Sequence, residues 1–325
     1  MSDKELHNQQ DTEGFMAEYA LKQKTIRNAI SCYGVGLHSG SKVKLTLKPA
    51  DIDSGITFFR TDISGNGAVI KADYRNVVDT RLCTCLGDGK GNNIATVEHL
   101  MSAIHGLGIT NLNVEVSGPE MPILDGSASS FVFLLNSAGL EVQDAPLKAI
   151  RIKKSVTVSE NGAFVTLLPS STLFNIDFSL DYSACPFIGR QQMDFALNPV
   201  EYVQNISSAR TFGLAKEVEQ IKAMGLAKGG SLENVLVVTD KDVLNPEGLR
   251  YEDEFVRHKI LDAVGDMYMG GYTLIGTMIA SKSGHRMNNL ALQALFADKD
   301  AWELVEVTAN NYPVSLSNLK KRNIA

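Results

Sequence analysis

Apolar and polar residues alternate along residues 42–48 (KVKLTLK), which predicts a strand ended by Pro49; a turn at Asp51, Asp53 and Gly55 leads to a second strand, ITFFR. The second half of the chain carries a similar unit. Residues 163–168 (AFVTLL) end at Pro169, a Ser-rich turn follows, and another strand reads LFNIDFSLDY. The period then changes to that of a helix. ATVEHLMSAIHGLG places apolar side chains at Val97, Leu100, Met101 and Ile104, stops at glycines and leads into the strand NLNVEV. Its counterpart, EFVRHKILDAVGDMYMGG, places them at Phe255, Val256, Ile260, Leu261 and Val264 and leads into YTLIGTMIA. In each half a loop and a second helix follow, over residues 127–138 and 288–306.

Strands first and helices after, twice over, predict an α+β protein: two similar two-layer α/β sandwich domains from an internal duplication, each with a small inserted subdomain. A chance match of ordinary strand and helix spacing is the alternative. The boundary falls within residues 143–150 (QDAPLKAI), which gives an extension over 1–21, a first domain over 22–145 and a second over 146–325. His99 and His258 lie about 39 residues further apart than Pro49 and Pro169, so the second half holds an insertion. It is expected near 200–238 as a β-α-β unit, where LAKEVEQIKAMGLAKGG reads as an amphipathic helix and NVLVVTD as a strand. A smaller excursion in the first half spans residues 60–86.

Composition narrows the class. Of 325 residues, 44% are hydrophobic and 21% charged, the balance of a soluble globular protein rather than a disordered or membrane-spanning one. The net charge is -6 and no stripe of Lys and Arg tracks a phosphate backbone, which argues against nucleic acid; Lys320, Lys321 and Arg322 read as a solvated end. Four irregularly spaced cysteines do not make the disulfide framework of a small secreted protein and suit a reducing compartment. The first twenty residues are acidic and polar and lack the apolar segment of an export signal. A cytoplasmic protein with a flexible extension and no stable membrane insertion is expected.

Candidate chemistry begins with His258 and Asp262, four apart on a predicted helix and therefore on one face. Imidazole and carboxylate are both zinc ligands, and a catalytic zinc takes three protein ligands and a water. The same spacing is also a common solvated helix pair. The duplication supplies a third ligand, since His99 stands in the first half where His258 stands in the second. Glu98 leaves the helix about 100° from His99 and is placed to take a proton from the water rather than to bind the ion. Otherwise it is a charge favoured by the helix N-terminus. Zinc lowers the pKa of a bound water from about 15.7 towards about 7, and a neighbouring carboxylate completes an amide-hydrolysing pair. His285, in the loop before the last long helix, is the expected general acid or electrostatic stabiliser, with Asp266 holding its ring. Cys83 and Cys85, two apart on an expected strand, make half a metal site and are read as packing residues.

GVGLHSG (34–40), DTRLCTCL (79–86), TVEHLMSA (96–103), PILDGSASSFV (122–132), SARTFG (208–213), YEDEFVRHKILDA (251–263) and KSGHRMNN (282–289) occur in this order. Together they resemble the UDP-3-O-acyl-N-acetylglucosamine deacetylases (LpxC) of lipid A biosynthesis in Gram-negative bacteria, from about residue 22 to near the C-terminus. The resemblance implies two α+β domains facing each other across a cleft. It implies one Zn2+ per chain, with Fe2+ as the alternative ion, on His99, His258 and Asp262. Glu98 would be the general base, His285 its protonated partner, and Thr211 the donor to the carbonyl and its oxyanion. Lys259 would help bind the anionic substrate, and Leu82, Cys83 and Phe212 would line a hydrophobic passage for the acyl chain formed with the second-half insertion, whose apolar face is Ile221, Met224 and Leu226.

The implied reaction is hydrolysis of the N-acetyl group of a nucleotide-sugar lipid precursor to free amine and acetate, the committed step of lipid A biosynthesis, by a monomer. The competing readings are a zinc amidohydrolase with a different N-acetylated substrate and a catalytically silent binding protein. Glu98, His285 and Thr211 together argue against the second.

Overall fold

The computed structural model describes residues 21–64 and 68–308. The extension expected over 1–21, apart from Leu21, and the basic residues 320–322 lie outside the described residues.

Strand Lys42–Pro49 buries Val43, Leu45 and Leu47 and turns Lys42, Lys44 and Lys48 to solvent. Each such apolar side chain contributes about 1.5–3 kcal/mol when removed from water, so a one-residue slip of register would forfeit all three. This strand sits second in a five-stranded sheet ordered Ile30–Val35, Lys42–Pro49, Leu112–Val116, Ile56–Arg60, Ala68–Lys71. All neighbours are antiparallel except Ile56–Arg60 beside Leu112–Val116. A parallel pair needs a crossover, and helix α1 (Glu98–Gly106) lies within it.

The second sheet repeats this order and these directions strand for strand: Val156–Glu160, Ala163–Leu173, Thr273–Ser281, Asn175–Tyr182, Gly189–Ala196. Its parallel pair is Asn175–Tyr182 beside Thr273–Ser281, and its crossover contains a longer helix, Glu254–Met267. The protein is therefore α+β. Two further strands extend this sheet: Lys148–Ile152 runs parallel to the start of Thr273–Ser281, and Trp302–Glu306 runs antiparallel to Lys148–Ile152.

That last strand corrects the helix expected over 288–306. The helix spans His285–Ala297, so His285 is its first residue rather than a loop residue. Asp298 ends it in an extended conformation (φ -93°, ψ 97°) and accepts a turn bond from the Ala301 amide. The alternating segment that follows pairs with an open strand edge, a partner that periodicity along one segment cannot reveal.

The remaining α-helices among the described residues are, in chain order, α2 (Ser129–Ala138), α3 (Pro199–Asn205) and α4 (Ala215–Ala223), so Glu254–Met267 is α5 and His285–Ala297 is α6. A three-stranded sheet, Val77–Asp79, Cys85–Gly87 and Asn93–Ile94, starts within the first-half excursion and runs past its expected end at residue 86. The second-half insertion is a parallel strand pair, Phe212–Leu214 and Leu236–Val238, joined through α4. Cys83 lies in the bend before strand Cys85–Gly87 rather than on it, which corrects the expectation that both cysteines share a strand face.

Every residue of α1 is buried: α5 packs along it, and α2, α3 and the turn at Tyr268–Gly270 also touch it. The buried apolar side chains of both halves form one continuous cluster around this contact. No described helix is long and apolar enough to cross a membrane.

Candidate active site

The contact between α1 and α5 sets the geometry of the cleft. A Cβ on Gly265 would stand 2.1 Å from the Glu98 carbonyl oxygen and 3.0 Å from the Ser102 nitrogen, so only glycine lets the two backbones come this close. The approach brings the first turn of α1, with Glu98 and His99, beside the face of α5 that carries His258, Asp262 and Asp266. The chain enters α1 through Thr96 at φ 60°, a left-handed conformation that costs a β-branched residue on the order of 1–3 kcal/mol. Glu120 holds this turn: its carboxylate accepts from the Thr96 hydroxyl and from the amides of His38 and Ser39.

His99, His258 and Asp262 are all buried, and one ligand atom from each lies within 4.8 Å of the others. His258 Nδ1 is 3.1 Å from the Ala209 carbonyl, which can only accept, so this nitrogen carries the proton. Burial lowers the imidazole pKa to about 3, and its Nε2 is consequently a bare lone pair. That lone pair faces Asp262 Oδ1 at 3.4 Å, and His99 Nε2 faces the same oxygen at 3.7 Å. Lone pairs pointed at one another repel unless a cation lies between them. Two neutral imidazoles and a carboxylate, one ring fixed in its tautomer by a backbone carbonyl, are the donor set of a divalent transition metal. Lys259 donates to the other oxygen of Asp262 at 2.7 Å and lies 5.6 Å from the Phe212 ring centroid. Burial opposes its charge, but Asp262, together with Tyr182 and Asp266, outweighs this and raises its pKa to about 12.

A second group stands beside the first. Glu98 Oε1 is 3.8 Å from His285 Nε2, while Glu98 Oε2 accepts from the Thr84 amide at 2.9 Å. His285 Nδ1 meets Asp266 Oδ2 at 2.9 Å. Asp266 is fixed in turn by the Thr84 hydroxyl at 2.6 Å and the Asn288 amide at 2.9 Å. Burial, reinforced by the neighbouring carboxylates of Asp266 and Asp262, pushes the Glu98 pKa up to about 8. Burial works against a charged His285, but Asp266 and Glu98 overcome it and raise its pKa to about 9. A carboxylate that gives and takes a proton near neutrality beside an imidazole that stays protonated has the chemistry that general acid–base catalysis requires.

Both groups open onto a cleft of about 740 Å³. Thr211, Phe212, Lys259, Leu82 and Cys83 all reach it, as do Leu214 and Ile221 of the insertion. Thr211 is held by its backbone, donating its amide to Gly126 and accepting from the Leu236 amide; its hydroxyl makes no hydrogen bond among the described residues. Sequence reasoning missed Thr84, Asn288 and Glu120, whose partners are far away along the chain. It left out His38, which lines the cleft with neither ring nitrogen hydrogen-bonded among the described residues; its signal was the GVGLHSG block.

Residues 23–297 match the family described as LpxC, UDP-3-O-acyl N-acetylglycosamine deacetylase. The chain is 50% identical over 299 residues to a UDP-3-O-acyl-N-acetylglucosamine deacetylase from Hahella chejuensis, a match covering 91% of this chain and 97% of that protein. It is 48% identical over 298 residues to the deacetylase of that name from Shewanella violacea, covering 91% of this chain and 96% of the relative. For the Acidithiobacillus ferrooxidans protein of that name the identity is 47% over 300 residues, covering 92% and 97%. The chain belongs to the UDP-3-O-acyl-N-acetylglucosamine deacetylase family.

Proposed function

We propose that this protein hydrolyses the N-acetyl group of UDP-3-O-acyl-N-acetylglucosamine to the free amine and acetate, the committed step of lipid A biosynthesis, as a cytoplasmic monomer with one Zn2+. The observation that carries the reading is the bare Nε2 of His258 facing Asp262 Oδ1 at 3.4 Å, beside the Glu98 and His285 pair. His99, His258 and Asp262 would hold the ion. Once bound, it supplies Lewis-acid charge that polarises the acetyl carbonyl and lowers the pKa of the attacking water.

The protein's own groups do the rest. Glu98 takes the proton of the attacking water as the oxygen adds to the acetyl carbon. The Thr211 hydroxyl donates to the oxygen on which negative charge develops. His285, kept protonated by Asp266, delivers a proton to the sugar nitrogen as the C–N bond breaks and an amine leaves with acetate. Lys259 adds positive charge for the anionic substrate. Leu82, Cys83, Phe212 and the half-buried face of α4 at Ile221 offer an apolar wall for the acyl chain. Met224, also on that face, is 59% exposed, which suits a surface covered only when the chain is bound.

The identical strand order of the two sheets supports an origin by internal duplication, with domains over 22–145 and 146–325. Strand Leu140–Pro146 pairs with Lys22–Ile26 and strand Lys148–Ile152 with the second sheet, so the change of partner falls at that boundary.

Acetate release tests the function. Protein stripped of metal and refilled with Zn2+ is expected to release acetate from the acylated UDP-sugar and far less from the same sugar without its acyl chain, with Fe2+ as a second refill. Failure on the acylated substrate with both ions would overturn the assignment. Equal rates on both sugars would indicate an amidohydrolase of different substrate.

A further inference from the structure

We propose that Glu254 is a positioning residue for the reaction, acting through Arg210 to aim the hydroxyl of Thr211 into the cleft. The inference rests on the reading of Thr211 as the donor to the oxyanion.

Arg210 and Glu254 are 2% and 0% exposed and form the most deeply buried Arg–carboxylate pair among the described residues. Taking both charges out of water cancels most of their attraction, so such a pair is a weak stabiliser and is better read through the geometry it imposes. Here the carboxylate is fully used. Glu254 Oε1 accepts from the Arg210 amide at 3.0 Å and from Arg210 Nε at 2.9 Å; Oε2 accepts from Arg210 Nη2 at 3.1 Å and from the Arg250 amide at 2.6 Å. The guanidinium also donates to Glu247 and to the Gly248 carbonyl.

Every residue of the segment 208–211 is tied down. Arg250 donates to the Ser208 carbonyl, His258 to the Ala209 carbonyl, Arg210 donates its amide to Glu254, and Thr211 donates its amide to Gly126. Glu254 stands four residues before His258 on α5, so one turn of helix carries both the clamp and the metal-site histidine. Since the Thr211 hydroxyl has no partner among the described residues, the backbone and the rotamer it allows set where it points. A hydrogen bond weakens steeply as its angle falls below about 120°, so a loosened backbone costs the donor even when the residue remains.

The test is a double-mutant cycle on the zinc-loaded protein, measuring kcat, KM and zinc content for Thr211→Val, Glu254→Gln and both together. Thr211→Val is expected to lower kcat about 100-fold. Glu254→Gln should lower kcat on the order of 10-fold with zinc and KM retained, and the double variant should be no slower than Thr211→Val alone. If the two losses multiply, Glu254 does not act through Thr211 and the inference is overturned. A Thr211→Val enzyme with normal kcat would instead defeat the reading of Thr211, and this inference with it. Should Glu254→Gln not fold, Arg210→Lys replaces it in the cycle, since it keeps the buried charge paired but removes the guanidinium fork. The same kcat loss and the same non-additivity are expected, and a wild-type kcat would overturn the proposal.

Discussion

Gly265 of α5 lies against the carbonyl of Glu98 on α1, where a Cβ would approach that oxygen to 2.1 Å. The atom it would strike is backbone in the middle of a buried contact, so the helices must part. Overpacking of this kind costs about 1–3 kcal/mol, and here it would also draw His99 away from His258 and Asp262. Gly265→Ala is therefore expected to lower Tm and zinc affinity together, measured by calorimetry and by competition with a chelating dye. Unchanged zinc affinity in a folded variant would show that the helix approach does not set the ligand spacing.

The Glu98 and His285 pair predicts a bell-shaped pH profile. In the proposed roles Glu98 acts deprotonated and His285 protonated, so the rising limb would belong to the first and the falling limb to the second. His285→Ala should lose the falling limb along with most of the rate. Because Asp266 is the leading influence raising the His285 pKa, Asp266→Asn should move the falling limb to lower pH. A falling limb unmoved in both variants would exclude His285 as the acid.

His105 offers a prediction independent of the cleft. Its ring stacks on Tyr268 with centroids 4.2 Å apart, and its nitrogens meet the Val264 carbonyl and the Thr273 hydroxyl, both at 2.9 Å. Burial lowers its pKa from 6.5 to about 4, so the folded state resists a proton that the unfolded state accepts. Stability is thus complete above pH 6.5 and falls between about 6.5 and 4, by about 3 kcal/mol from this group. Denaturant unfolding of wild type and His105→Gln at pH 7 and pH 4 measures the difference. Equal acid losses in the two proteins would contradict it.

Local periodicity made the central strands of both sheets, α1 and α5 legible, and spacing alone put His258 and Asp262 on one helix face. Strand Ala163–Leu173 runs through Pro169 and the serines after it, where an end and a turn were expected, and flanking strands such as Ile30–Val35 and Gly189–Ala196 went unread. The match between halves pointed to His99. What stayed hidden depends on partners remote in sequence. Trp302–Glu306 is a strand because Lys148–Ile152 offers it an edge. Thr84 reaches Asp266 across 182 positions, and Arg210 and Glu254 meet across 44, distances over which no residue pattern signals a hydrogen bond. His285 was expected in a loop, because Gly284 before it offers no side-chain cap to mark a helix start.

The division of labour between ligand and base is tested most directly by zinc content measured alongside acetate release in Glu98→Ala and His258→Ala. The expected result is that Glu98→Ala keeps its zinc and loses most of its activity, whereas His258→Ala loses both. Zinc lost from the two variants alike would contradict it, because Glu98 would then be a ligand rather than the base.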